Sequence, residues 1–199
     1  MSVTHSTFRI LSAIAVCILA GCGGDAVSPR LFDQWRGEEP FAVVETAVDT
    51  SPSGKFAVEY AWDDPDTSGK YRLSLRHEAS GRRSLLGRGT RGASCRWWKT
   101  RLGDVLTVEY QEDTHFSRVF VLYPHLTADG RFECPLLYAT PSLELFPGPI
   151  PPEHIYAHIV RLTEDGMLTL SVMWDYGKDG GTEKTVEVPL FYGIPSASR

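Results

Sequence analysis

The 199-residue chain has no apolar run long enough to cross a bilayer as a helix, which takes ~20 residues. Its longest, at positions 10–20, spans eleven. It has no Gly-x-Ser-x-Gly elbow, no phosphate-binding glycine loop and no cysteine cluster. The common α/β-hydrolase, nucleotide and structural-zinc signatures are therefore missing, and no cofactor is expected. Past position 40 no stretch keeps a helical period, which excludes a helix bundle.

What is present begins with an address. Arg9 and the amino terminus place positive charge before the apolar run, and Leu19, Ala20, Gly21 and Cys22 follow it. A charged start, a short apolar middle and small residues at the end form a secretory signal. The tetrapeptide resembles the bacterial lipoprotein lipobox. That resemblance implies cleavage after Gly21, with Cys22 as the new N-terminus carrying a diacylglyceryl group and usually a third acyl chain on its amine. Two or three chains anchor a protein stably where one does not, since each buried methylene adds ~0.8 kcal/mol. Gly23, rather than aspartate, follows the cysteine, and the family's sorting pattern then implies the outer membrane, facing the periplasm. The expected organisation is a cleaved signal at 1–21, a lipidated tether with a short helix at 22–40, and one all-β domain at 41–195.

Cys17 leaves with the signal and Cys22 takes the lipid, so Cys95 and Cys134 remain. In an exported protein such a pair predicts a disulfide. Closing that loop of about forty residues contributes ~4 kcal/mol in the chain-entropy view.

Charge is unevenly spread. Ten cations lie between positions 70 and 101 against a single anion, Glu78, whereas both flanks are acidic. This asymmetry points to an anionic partner, either an acidic protein surface or a phosphorylated envelope component. The alternative is that the arginines pair with carboxylates on neighbouring strands. Nucleic acid is excluded as a partner by the export signal.

Beyond the tether, Ser28, Pro29 and Gly37 bracket Leu31, Phe32 and Trp35 in the pattern of a short helix. After that, alternation of period two dominates. Phe56, Val58, Tyr60 and Trp62 share one face, as do Leu168, Leu170, Val172 and Trp174. Further strands are expected at 41–48, 71–75, 84–88, 95–99, 106–110, 115–123, 131–137, 155–162 and 185–190. Turn residues separate them at short intervals, so the predicted fold is all-β: an antiparallel sandwich or barrel of roughly nine to eleven strands with one short N-terminal helix. Three phrases starting at Ser51, Thr127 and Thr163 look alike and resemble the turn of a propeller blade, but their spacing is not constant. The segment 140–153, rich in proline, is expected to be extended.

Candidate chemistry is thin. Asp64, Asp66 and Ser68 open like a calcium loop, but Leu75 stands where the closing glutamate belongs. His154 and His158 are four apart, a metal-binding spacing on a helix, whereas on a strand they lie ~13 Å apart. Trp97 and Trp98 are adjacent, so one should enter the core and the other lie on the surface near Arg96 and Lys99. No metal and no catalytic residue are assigned. The expectation is a non-enzymatic, lipid-anchored envelope protein contacting the membrane through the acyl chains on Cys22, and a protein or anionic envelope partner through Arg82, Arg83, Arg88, Arg91, Arg96 and Trp98. Two alternatives are a lipocalin-like small-ligand carrier, and an envelope hydrolase using His115, His125 or His158 with a carboxylate.

Overall fold

The computed structural model describes residues 28–34, 43, 45–62, 69–90, 92–111, 116–140, 154–175 and 181–191. Cys22, Trp35, Asp64, Asp66, Ser68, Arg91, His115 and most of the proline-rich segment lie outside them. Among the described residues fourteen strands form: β1 (Phe32–Asp33), β2 (Glu45–Thr50), β3 (Phe56–Trp62), β4 (Tyr71–His77), β5 (Arg83–Gly89), β6 (Ala93–Thr100), β7 (Gly103–Gln111), β8 (Ser117–Leu122), β9 (His125–Leu126), β10 (Phe132–Glu133), β11 (Leu136–Ala139), β12 (His154–Leu162), β13 (Met167–Asp175) and β14 (Thr182–Pro189). The described chain is all-β, as predicted. The surplus over the expected count consists of the two-residue strands β1, β9 and β10. Pro135, which lacks a backbone N–H, divides β10 from β11 where a single strand was expected at 131–137, and β9, beyond Pro124, was not expected.

Three sheets lie face to face. The first has the order β1-β5-β4-β3-β2, the second β11-β8-β7-β6 and the third β12-β13-β14, with β9 and β10 as a small ribbon. Val58, Leu73, Leu75 and Leu86 of the first sheet meet Leu106, Val108, Phe120 and Leu122 of the second in one core. The opposite face of the second sheet supplies Val105, Val119 and Val121 to another core, against Ala157, Leu168, Leu170, Val172 and Trp174 of the third. The middle sheet is thus covered on both sides. That is why β7 and β8 read as nearly continuous apolar runs, while β4, covered on one side, alternates cleanly. Removing each of these aliphatic side chains from water stabilises the fold by ~1.5–3 kcal/mol. The described sheets do not close into a barrel, so the calyx of a lipocalin-like carrier draws no support from them.

The third sheet is stitched to the second by side chains. Ser117 Oγ accepts from the Ala157 N–H at 2.8 Å and donates to the Ala157 carbonyl at 3.2 Å, and Glu109 Oε1 accepts from the Ile159 N–H at 2.9 Å. These contacts satisfy backbone groups on the β12 edge that no neighbouring strand pairs, apart from the isolated bridge between Phe116 and Ile155.

Two expectations are corrected. The segment around Phe32 is not helical: β1 runs parallel to β5, with Phe32 opposite Gly87 and Leu31 N–H donating to the Leu86 carbonyl at 2.7 Å. Ser28, the presumed cap, bonds Ser84 instead. Phe32 stacks on Tyr110 at 3.9 Å between ring centres. It fits because Gly87 has no side chain; a Cβ there would sit 2.4 Å from the Phe32 ring. A short isolated helix is marginal in water, and burying this ring outweighs its local signals. The disulfide is also not formed, since Cys95 and Cys134 are free thiols. Cys95 lies on the edge strand β6, whereas Cys134 immediately precedes the opposite edge. Each thiol has other surroundings instead: Cys95 bonds Tyr60 on β3, and Cys134 is buried in the first core.

Candidate functional site

The basic segment divides between two layers. Arg72 and Arg76 on β4 and Arg83 and Arg88 on β5 occupy the outer face of the first sheet, since Leu73 and Leu75 on alternate positions fill the core. In register, Arg72 stands opposite Arg88 and Arg76 opposite Arg83. Like charges directly opposed destabilise a sheet unless something lies between them. At one pair that something is Glu59 of β3, which is 3.3 Å from Arg76 and 3.2 Å from Arg83. Arg76 also bonds Glu78 at 2.9 Å. Neighbouring carboxylates therefore do neutralise part of the segment, as the alternative reading held. Arg83 keeps more than half of its side chain exposed, and Arg82 beside it is exposed in the β4–β5 turn.

Arg96 and Trp98 belong elsewhere. They lie on the face of β6 turned toward the third sheet, with the Arg96 guanidinium 4.2 Å above the Trp98 ring. Trp98 Nε1 donates to Thr107 Oγ1 at 2.9 Å. Trp97 faces the other way, packs on the first core and donates to the Asp49 carbonyl at 3.2 Å. Trp98 thus lies beside Arg96, as expected, but both tryptophans are partly buried, one packed on each core. A middle sheet buried on both faces has room for both. The surface predicted from Arg82 to Trp98 is consequently two surfaces, separated by the first core.

Three histidines have defined partners. His158 Nδ1 lies 3.2 Å from Glu109 Oε2, the kind of couple that an envelope hydrolase would use. Yet the other oxygen of Glu109 is committed to the β12 backbone, which marks the glutamate as a structural tie. His125 is 3.9 Å from Glu133, and His77 Nδ1 bonds Ser80 Oγ at 2.8 Å. His154 and His158 both lie on β12, in the extended geometry that separates them beyond chelating reach.

The thiols sit in dry surroundings. Burial pushes the Cys95 thiol up to about 12 and raises that of Cys134 as well, so neither is a nucleophile at neutral pH. Tyr60, raised by burial and by Cys95 beside it, bonds Cys95.

The three similar phrases do build related turns. The amides of Gly54, Gly130 and Gly166 donate to the carbonyls of Ser51, Thr127 and Thr163, and all three glycines have positive φ. The leading hydroxyl accepts from the backbone N–H of Phe56, Arg131 and Met167 respectively. In the β4–β5 turn, Gly81, also at positive φ, donates its N–H to the His77 carbonyl. No family model, no curated protein and no solved structure matches the chain.

Proposed function

We propose that the chain is a lipid-anchored protein of the bacterial envelope, held through Cys22 in the outer membrane facing the periplasm, that binds an anionic partner and catalyses no reaction. The observation that supports this reading best is the exposed Arg82 and Arg83 at the end of an outer sheet face that also carries Arg72, Arg76 and Arg88. Glu59 and Glu78 offset the Arg76 and Arg83 charges, yet Arg83 stays more than half exposed beside the exposed Arg82, and this surplus of cations creates a field that attracts and orients anions.

Arg82 and Arg83 extend the basic face to the sheet end, and Arg88 lies within it. The test is crosslinked affinity capture from native envelopes with wild type and with the charge-reversed variant at Arg82, Arg83, Arg88 and Arg91. The expected result is loss of the captured partner with an unchanged circular dichroism spectrum. Identical capture by both proteins counts against the basic face. A Cys22→Ala protein that stays in the membrane fraction counts against the anchor.

A further inference from the structure

One end of the molecule gathers hairpin turns from all three layers and joins them by hydrogen bonds. Glu78 N–H in the β4–β5 turn donates to the Lys55 carbonyl of the β2–β3 turn at 2.9 Å. Ser53 N–H of that turn donates to Asp104 Oδ2 at the start of β7 at 3.2 Å. Arg101 N–H in the β6–β7 turn then donates to the Glu164 carbonyl of the β12–β13 turn at 2.9 Å.

The chain meets the domain at this same end. Ser28 bonds Ser84, next to Arg83, and β1 runs from there parallel to β5 toward the opposite end. Positions 23–27 separate Cys22 from Ser28, so Ser28 stands no more than about 20 Å from the cysteine even when the chain is fully extended. Lys55, Arg82 and Arg101 on the turns of the first two layers, and Arg83 and Lys99 on the adjoining strand ends, are exposed at this end. The exposed acidic residues Glu164 and Asp165 lie on the third layer's turn beside Arg101, whose guanidinium lies 5.7 Å over the Phe191 ring, and Glu78 and the Asp129–Arg131 pair also share the end with the cations.

Resting on the anchored reading above, we infer that this turn-bearing end faces the bilayer, and that Lys55, Arg82, Arg83, Lys99 and Arg101 contact the phosphate headgroups of the anionic phospholipid into which the Cys22 acyl chains insert. An acyl anchor and a basic patch reinforce one another, because the anchor holds the cations within a few Debye lengths of the surface. The partner of the basic segment is then the anchoring membrane itself, and the domain stands end-on upon it.

The test uses the full, lipid-modified protein on vesicles of phosphatidylcholine, with or without phosphatidylglycerol. A water-soluble amine-acylating reagent is applied and each lysine is quantified by mass spectrometry. Lys55 and Lys99 should lose labelling roughly fivefold on the anionic vesicles, about the factor that one headgroup contact supplies. Lys184, exposed on β14 away from the turns, should not change. High salt and the combined substitutions Arg82→Glu, Arg83→Glu and Arg101→Glu should both abolish the protection. Equal labelling of Lys55 and Lys99 on the two kinds of vesicle overturns the inference. The acyl mass on Cys22, read in the same experiment, keeps the two failures apart: its absence removes the anchor, whereas its presence without protection removes only the membrane-facing end.

Discussion

Burial of ionisable groups gives the molecule a defined weakness in alkali. The folded state holds Cys95 protonated up to about 12, whereas the unfolded chain loses that proton near 9.0. Cys134, Tyr60 and Tyr71 are shifted in the same direction by the same cause. For a raised pKa, stability is fully present below the unfolded value and declines as pH climbs toward the folded one. Each group that has ionised only in the unfolded state lowers stability by ~1.4 kcal/mol per pH unit. Urea midpoints should accordingly hold level to about pH 9 and then fall steeply. Over the same range, both thiols should react with a thiol reagent only after unfolding. A protein whose thiols remain silent in denaturant would instead contain the bridge that the cysteine count predicts.

Individual elements show where local signals end and tertiary packing begins. Period-two alternation marks β3, β4 and β13 because each presents one face to a core, and nothing in their surroundings competes with that pattern. Ser28, Pro29 and Gly37 spell a helix start and stop, yet the open edge of β5 and the flat space over Gly87 take Phe32 as a strand residue instead. The absence of a side chain at Gly87 was visible in the sequence, but its meaning depended on a ring 55 positions earlier. Phe32→Ala should cost ~3–5 kcal/mol, as core phenylalanine truncations do, and should free β1 from β5. Amide hydrogen exchange checks this: Leu31 and Gln34 should lose protection before the β3–β4 ladder does.

At the scale of the whole molecule, the sequence carried the all-β class and most strand positions, but not the stacking of three layers. The double burial of β7 and β8 was written in Val105, Leu106, Val119 and Phe120, although a short apolar run alone does not say what covers its second face. The basic segment was legible as charge. Its division between the outer face of the first sheet and the edge of the second was not, because the turn after β5 carries the chain from one layer to the next. Besides the shared core, the Phe116–Ile155 bridge and the Arg101–Glu164 backbone bond, side chains such as Glu109 tie the third sheet to the second. Glu109→Gln keeps one acceptor for the Ile159 N–H but loses the charge, and should cost ~1 kcal/mol; Glu109→Ala, which strands that amide, should cost ~1–3 kcal/mol. Chemical denaturation of the two variants gives the difference directly.

The parallel run of β1 beside β5 also fixes how the domain bears mechanical load. A pull on the residues before Ser28 draws β1 lengthwise along β5, so that the Leu31–Leu86 and Gln34–Arg88 hydrogen bonds are strained together in shear rather than opened one after another. Phe32, wedged over Gly87 and against Tyr110, must be dragged out of the core before the strand can slide. Force arriving along the tether is therefore met first by a two-residue strand and one aromatic ring, which act as the clamp between the domain and whatever holds its N-terminus.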